Sequence, residues 1–187
     1  MQPVHVLSAA RTQLIPYGEL APGQAAAIRN EIIGRIVAEV QARTRLSIDK
    51  LVVRDIRAKD DITLYTAAVS AAVEDWGMLT GTTADAYETM ATGTVADQRW
   101  LGIFGVKTSP DVSCTALKFN VGGGDRAIWQ LQALNEEDGY VGFTPFGVVM
   151  TQNSPYTISR FVRQASSSAF IILKGVVVEP RGKVISP

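Results

Sequence analysis

Histidine and cysteine are almost missing from this chain of 187 residues, which has one of each. A single cysteine, Cys114, cannot close an intrachain disulfide, so the fold does not depend on an oxidising compartment. Its setting in Val112-Ser-Cys-Thr-Ala-Leu marks it as a small buried hydrophobe. Catalysis by a Ser-His-Asp or Cys-His arrangement would have to recruit His5, in the N-terminal stretch and far from Cys114. The several-histidine metal site of cupin-type jelly rolls cannot be built from one imidazole. No two carboxylates are set apart by their context as a glycosidase pair. These absences argue against an enzyme and against a bound metal or cofactor.

Charge is scarce too. Charged residues make up 19% of the chain, against about 25% in typical soluble domains. Lys plus Arg and Asp plus Glu are 18 each, so the net charge is zero. That argues against a strongly basic nucleic-acid binder, which would need a positive face; Arg126, Arg160 and Arg163 in the strand-rich half read as solvated positions on strand faces, with a local basic patch as the alternative. A neutral, charge-poor surface favours association, which points to a homo-oligomer. No apolar run reaches the roughly 18 residues needed to span a bilayer. The opening Met1-Gln-Pro-Val-His-Val-Leu lacks the basic region and apolar core of a secretory signal.

What the chain does have is strand pattern. Runs rich in Val, Ile, Phe, Thr and Trp, bounded by Gly, Pro, Asn, Asp or Ser, span Leu51–Arg57, Tyr87–Val95, Arg99–Lys107, Val112–Val121, Arg126–Leu134, Tyr140–Thr151, Tyr156–Gln164 and Phe170–Glu179. Eight such runs in about 135 residues predict a mainly β fold, an eight-stranded antiparallel jelly-roll-like sandwich. The last run, Phe170-Ile-Ile-Leu-Lys-Gly-Val-Val-Val, is apolar on both faces. It is either a central strand or one whose outer side is covered by a helix or another copy. Pro180 ends it by removing a ladder donor.

Ahead of the strands lie an arm and an amphipathic helix. Val4 to Leu7 reads as a short edge strand, and Pro16, Gly18 and Pro22 keep the arm open. Over residues 23–44, Ile28, Ile32, Ile36 and Val40 recur every four residues with Ile33 and Val37 beside them. That is one helical stripe. Glu31–Arg35 and Glu39–Arg43 are acid-before-base pairs on the remaining surface, and Gly34 offers a place for close packing. The stripe at Ile28, Ile32, Ile36 and Val40 is the candidate subunit interface, the alternative being that it packs on the chain's own sandwich. The polar side has mixed charge, which weakens docking on a membrane surface without removing membrane contact. Ile62, Tyr65, Val69, Val73 and Trp76 fall at helical spacing behind Asp61, a plausible N-cap, with an Ala-rich strand as the alternative. The domain division is thus 1–46 for arm and helix and 47–187 for the sandwich.

The remaining motifs have plain readings. Val121-Gly-Gly-Gly-Asp-Arg lacks the Gly-Lys-Ser/Thr of a phosphate loop and is followed by a strand pattern, so it is a hairpin turn. The acidic groups Glu136, Glu137 and Asp138, and Asp55, Asp60 and Asp61 around Lys59, read as solvated loops without calcium spacing. Trp76, Trp100 and Trp129, with Tyr87, Tyr140 and Tyr156, read as core or interface in the first place and as a sugar-binding face in the second. Asn153-Ser-Pro has proline where a glycosylation acceptor needs Ser or Thr.

Eight strand patterns behind an arm and a helix, rich in Thr, Val and Gly, resemble the single jelly-roll capsid proteins of tailless icosahedral viruses, including the small ones of membrane-containing phages. The resemblance covers roughly residues 48–185 and rests on strand count, spacing, low charge and the arm. It implies a structural virion protein, assembled in the host cytoplasm, with itself and other virion proteins as partners and no specific nucleic-acid binding. The family has no catalytic site, so no functional residue is carried over. The alternative is a β-sandwich binding module of the phage fibre or spike type, recognising a glycan or receptor.

Overall fold

The computed structural model describes residues 14–58, 60–62, 76, 78–109, 114–132, 134, 136 and 139–182. In chain order the elements are β1 (Ile15–Pro16), α1 (Gln24–Thr44), β2 (Leu51–Asp55), β3 (Met78–Thr80), β4 (Ala86–Thr94), β5 (Trp100–Thr108), β6 (Ala116–Val121), β7 (Gly124–Gln130), β8 (Val141–Met150), β9 (Pro155–Val162) and β10 (Ser168–Pro180). The eight predicted strands correspond to β2 and β4 to β10. The structure adds the two-residue β1 and the three-residue β3.

All the strand pairings are antiparallel. The larger sheet runs β1-β8-β5-β10-β2, with β3 on the early part of β10, and the smaller runs β4-β9-β6-β7. Apart from the β6–β7 hairpin, successive long strands alternate between the sheets. This is the winding of a jelly roll, a long hairpin folded on itself into two Greek keys. The hairpin is closed by Gly122 and Gly123, both at positive φ, which is what a two-residue turn matched to strand twist requires. The glycine-rich segment is therefore a turn, as predicted.

Two cores hold the layers. Between the sheets lie Met90, Leu101, Ile103, Leu117, Phe119, Trp129, Ile158, Leu173 and Val177. On the outer side of the larger sheet, Ile28, Ile32, Ile36, Val37 and Val40 of α1 pack with Trp100, Phe104, Val176 and Val178. β10 is apolar on both faces because one faces each core. β5 is buried along nearly its whole length for the same reason. The expected boundary at 46/47 falls in the link from α1 to β2, and α1 is docked on the sandwich rather than standing apart from it.

Glycines set the distance between helix and sheet. A Cβ at Gly102 would lie 2.5 Å from atoms of Ile32 and Ile36, and one at Gly147 would lie 2.6 Å from the Ile103 carbonyl oxygen. Gly34 does not play that part, since nothing lies within 4 Å of where its Cβ would be. Of the two helix-surface pairs, Arg43 reaches Glu39 at 2.5 Å.

The arm contributes β1, whose Ile15 and Pro16 pair with Phe143 and Gly142 of β8. The strand expected at Val4–Leu7 lies outside the described residues. So does most of the segment expected as a helix, residues 63–75.

Candidate functional site

The stripe singled out as a subunit contact lies inside one chain. Ile28 is 4% exposed and Ile32, Ile36 and Val40 are fully buried against the larger sheet. The helical periodicity is real, but its partner is the chain's own β5, β8 and β10. The alternative weighed for the stripe, packing on its own sandwich, is the arrangement found.

Four of the six candidate sugar-face aromatics, Trp76, Trp100, Trp129 and Tyr156, are core residues. Trp100, Trp129 and Tyr156 are at most 3% exposed, and the Phe119 and Trp129 rings meet at 4.5 Å between centroids. Trp76 is 8% exposed. Tyr87, in contrast, is 42% exposed on the outer face of the smaller sheet.

That face is built by strand alternation and register. Tyr87 stands opposite Phe161, and Phe161 opposite Ala116. The next row holds Thr89, Ser159, Lys118 and Ile128, and a further row Thr92, Thr157, Asn120 and Asp125. The Tyr87 and Phe161 rings meet edge to face at 5.1 Å. Lys118 reaches across β9 to lie 5.2 Å from the centre of the Tyr87 ring, and is 3.7 Å from Asp125. An exposed ring, a cation and a field of hydroxyls can stack on an apolar face and hydrogen-bond its rim.

A different set is exposed on the larger sheet, at Phe146 and Val53, and on the short turns before β2 and after β1, at Ile48 and Tyr17. Phe146 is 72% exposed, Ile48 66%, Tyr17 56% and Val53 37%. Phe146 stands on a bulge: residues 144–147 of β8 face only Phe104 on β5, between the pairs Ile103–Val148 and Gly105–Phe143. Pro145 and a hydrogen bond from the Phe146 N–H to the Thr144 hydroxyl stiffen it. The Tyr17 ring lies 6.1 Å from Phe143, which stacks on Phe104 at 6.2 Å. Sequence reading took residues 140–151 as one plain strand. The Pro145 in that run was the available sign of a break in the ladder.

Two polar clusters fix the frame, and each corrects an expectation. Asp61, expected in a solvated loop, is fully buried in its side chain. Its carboxylate takes two hydrogen bonds from Arg54, at 2.7 and 2.8 Å, one from Arg99 and one from the Arg57 N–H. Glu179 accepts from Arg54 and Arg99, both at 2.9 Å, which closes a ring of two guanidinium groups and two carboxylates. Hydrogen bonding to Asp61, reinforced by its charge and by Glu179, raises the Arg54 pKa beyond its ordinary value in spite of burial. Asp55, as expected, is exposed.

Arg160, expected on a solvated strand face, is 2% exposed. It donates to the carbonyls of Leu79 and Thr80 and to Glu88. Glu88 also accepts from the Thr82 hydroxyl and from the N–H groups of Thr82 and Thr83. Burial pushes the Glu88 carboxyl up, but these threonine donors and Arg160 outweigh it and hold the group below the usual carboxylate range. Arg126 and Arg163 are exposed as expected.

Cys114 is buried at 3% exposure. Among the described residues no group of three or more His, Cys, Asp or Glu is placed to hold a metal ion. Among them too, no helix is long and apolar enough to cross a membrane.

No family model matches the chain. No curated protein matches it either. Among solved structures, it is similar to the Podospora anserina GH26-CBM35 β-(1,4)-mannanase at 13% identity and a TM-score of 0.36, over 72% of this chain and 28% of that one. The chain thus spans under a third of the mannanase. It is similar to the CBM36-1 domain of a multidomain xylanase from the hindgut metagenome of Trinervitermes trinervoides at 8% identity and a TM-score of 0.31, over 70% of this chain and 99% of that one. A carbohydrate-binding module CBM36 in complex with calcium and xylotriose matches at 10% identity and a TM-score of 0.30, over 66% of this chain and 97% of that one. At such identities no residue is carried from these proteins to this one.

Proposed function

We propose that the protein is a structural virion subunit, a self-assembling jelly-roll shell protein without catalytic activity. The observation that carries this reading is the placement of its exposed apolar side chains. Phe146, Ile48, Tyr17 and Val53 belong to or flank the larger sheet, whereas Tyr87 stands on the outer face of the smaller one. A monomeric binder needs one apolar patch. A shell subunit needs contacts on more than one side, and contacts that do not close on themselves build rings and sheets. The neutral, charge-poor composition agrees, since it does little to keep copies apart. The partners are further copies of the chain and other virion proteins, and the contacts are the two sheet faces in place of the buried helix stripe.

The test is the mass in solution against concentration, by light scattering. Growth from small oligomers that Phe146→Ser or Tyr87→Ser arrests at different sizes supports two distinct contacts. A monomer at all concentrations removes the reading.

A second reading, a glycan- or receptor-binding module, is favoured by one observation: the Tyr87, Phe161 and Lys118 cluster among Thr89, Thr92, Thr157 and Asn120. A glycan panel on wild type and Tyr87→Ala tests it. Binding to one glycan class that Tyr87→Ala abolishes, in a protein that stays monomeric, supports it, and no binding across the panel removes it.

A further inference from the structure

We infer that the open part of the larger sheet's outer face holds a site for a small amphipathic anion, an aromatic or short acyl body ending in a carboxylate or sulfonate. A cavity of about 350 Å³ lies there beside the early part of α1, lined among others by Arg29, Trp76, Phe104, Phe143, Ile172 and Lys174. That is within the size range of ligand pockets, about 300–1,000 Å³. Its apolar side combines rings with the aliphatic Ile56, Ile172 and Leu173. Phe104 and Phe143 are stacked at 18° between planes, and Trp76 is 8% exposed. Gly105 makes room for them: it stands between Lys174 and Phe143 in the register, and a Cβ on it would lie 2.8 Å from the Phe143 ring.

The polar side is positive. Arg29 is matched by Asp55 at 3.2 Å. Lys174 sits in the apolar stretch from Ala169 to Val178, partly buried, and has no ion pair or hydrogen bond with a described residue. Lys107, opposite Ile172 on the neighbouring strand, has none either. A cation that lines the same cavity as stacked rings and meets no described carboxylate suits an anion with an apolar body. Among the described lining residues two cations, Arg29 and Lys174, stand with one carboxylate, Asp55, which sets the sign of the ligand, and the rings set its body.

The probe is 8-anilinonaphthalene-1-sulfonate, titrated into the full-length folded protein by fluorescence, with near-ultraviolet circular dichroism monitoring the fold. We expect saturable one-to-one binding, weakened about tenfold or more by Lys174→Glu and unchanged by Lys118→Glu on the opposite sheet. The uncharged analogue N-phenyl-1-naphthylamine is expected to bind more weakly and without regard to residue 174. The site is overturned by the absence of saturable binding to folded protein, by equal binding to Lys174→Glu, or by loss of binding in Lys118→Glu instead.

Discussion

The carboxylate of Asp61 sits between two guanidinium groups and a backbone N–H, with its side chain out of reach of water. Replacing a buried ion pair whole by apolar groups is often tolerated, whereas removing one partner strands the others. Asp61→Ala leaves Arg54 and Arg99 sharing Glu179 alone, so chemical denaturation is expected to show a loss of about 3–5 kcal/mol. Glu88 supplies a pH dependence. Its folded-state pKa lies below the ordinary 4.5, so its contribution is fully present above that value and is lost as the pH falls through the lower folded one. Stability measured against pH should therefore decline on the acid side in wild type, and decline less steeply in Glu88→Gln; equal slopes would mean that Glu88 is not the group responsible. Neither cluster was legible in the sequence. Arg54 and Glu179 are 125 positions apart, and an arginine in a strand reads as solvent-facing until a carboxylate from another strand is known to meet it.

At the scale of elements, the contact between α1 and the larger sheet is decided by side chains that are absent. Gly147→Ala would set a methyl group 2.6 Å from the Ile103 carbonyl oxygen and 2.9 Å from Ile32. Backbone cannot yield there cheaply, so a loss of about 1–3 kcal/mol is expected. Gly34→Ala meets open space on the solvent side of the same helix, and should gain about 0.5–1 kcal/mol from helix propensity. Thermal unfolding of the two variants checks the pair, and a destabilising Gly34→Ala would mean that this side of α1 is covered. The helix and the eight long strands were legible because burial imposes periods of about 3.6 and 2 on a sequence. What α1 packs against was not, since an internal sheet and a neighbouring subunit demand the same stripe. The short β1 and β3 carry too few residues for any period, and the bulge at 144–147 was hidden by an apolar run that continues on both sides of it.

The whole molecule is a jelly roll closed on one side by its own helix and left with apolar groups on both sheets. The fold class followed from strand number and spacing. The exposed apolar side chains did not, because exposure of Phe146 depends on a bulge and exposure of Tyr87 on which face of β4 turns outward. In the proposed function, assembly is the property that would join these residues. The most direct measurement is the solution mass of purified wild type by light scattering, with electron micrographs of the same fractions, beside Phe146→Ser. Wild type is predicted to grow with concentration into rings, sheets or shells, and Phe146→Ser to stop at a smaller species while keeping its circular dichroism spectrum. A wild-type protein that remains monomeric and featureless in micrographs at every concentration would contradict the account.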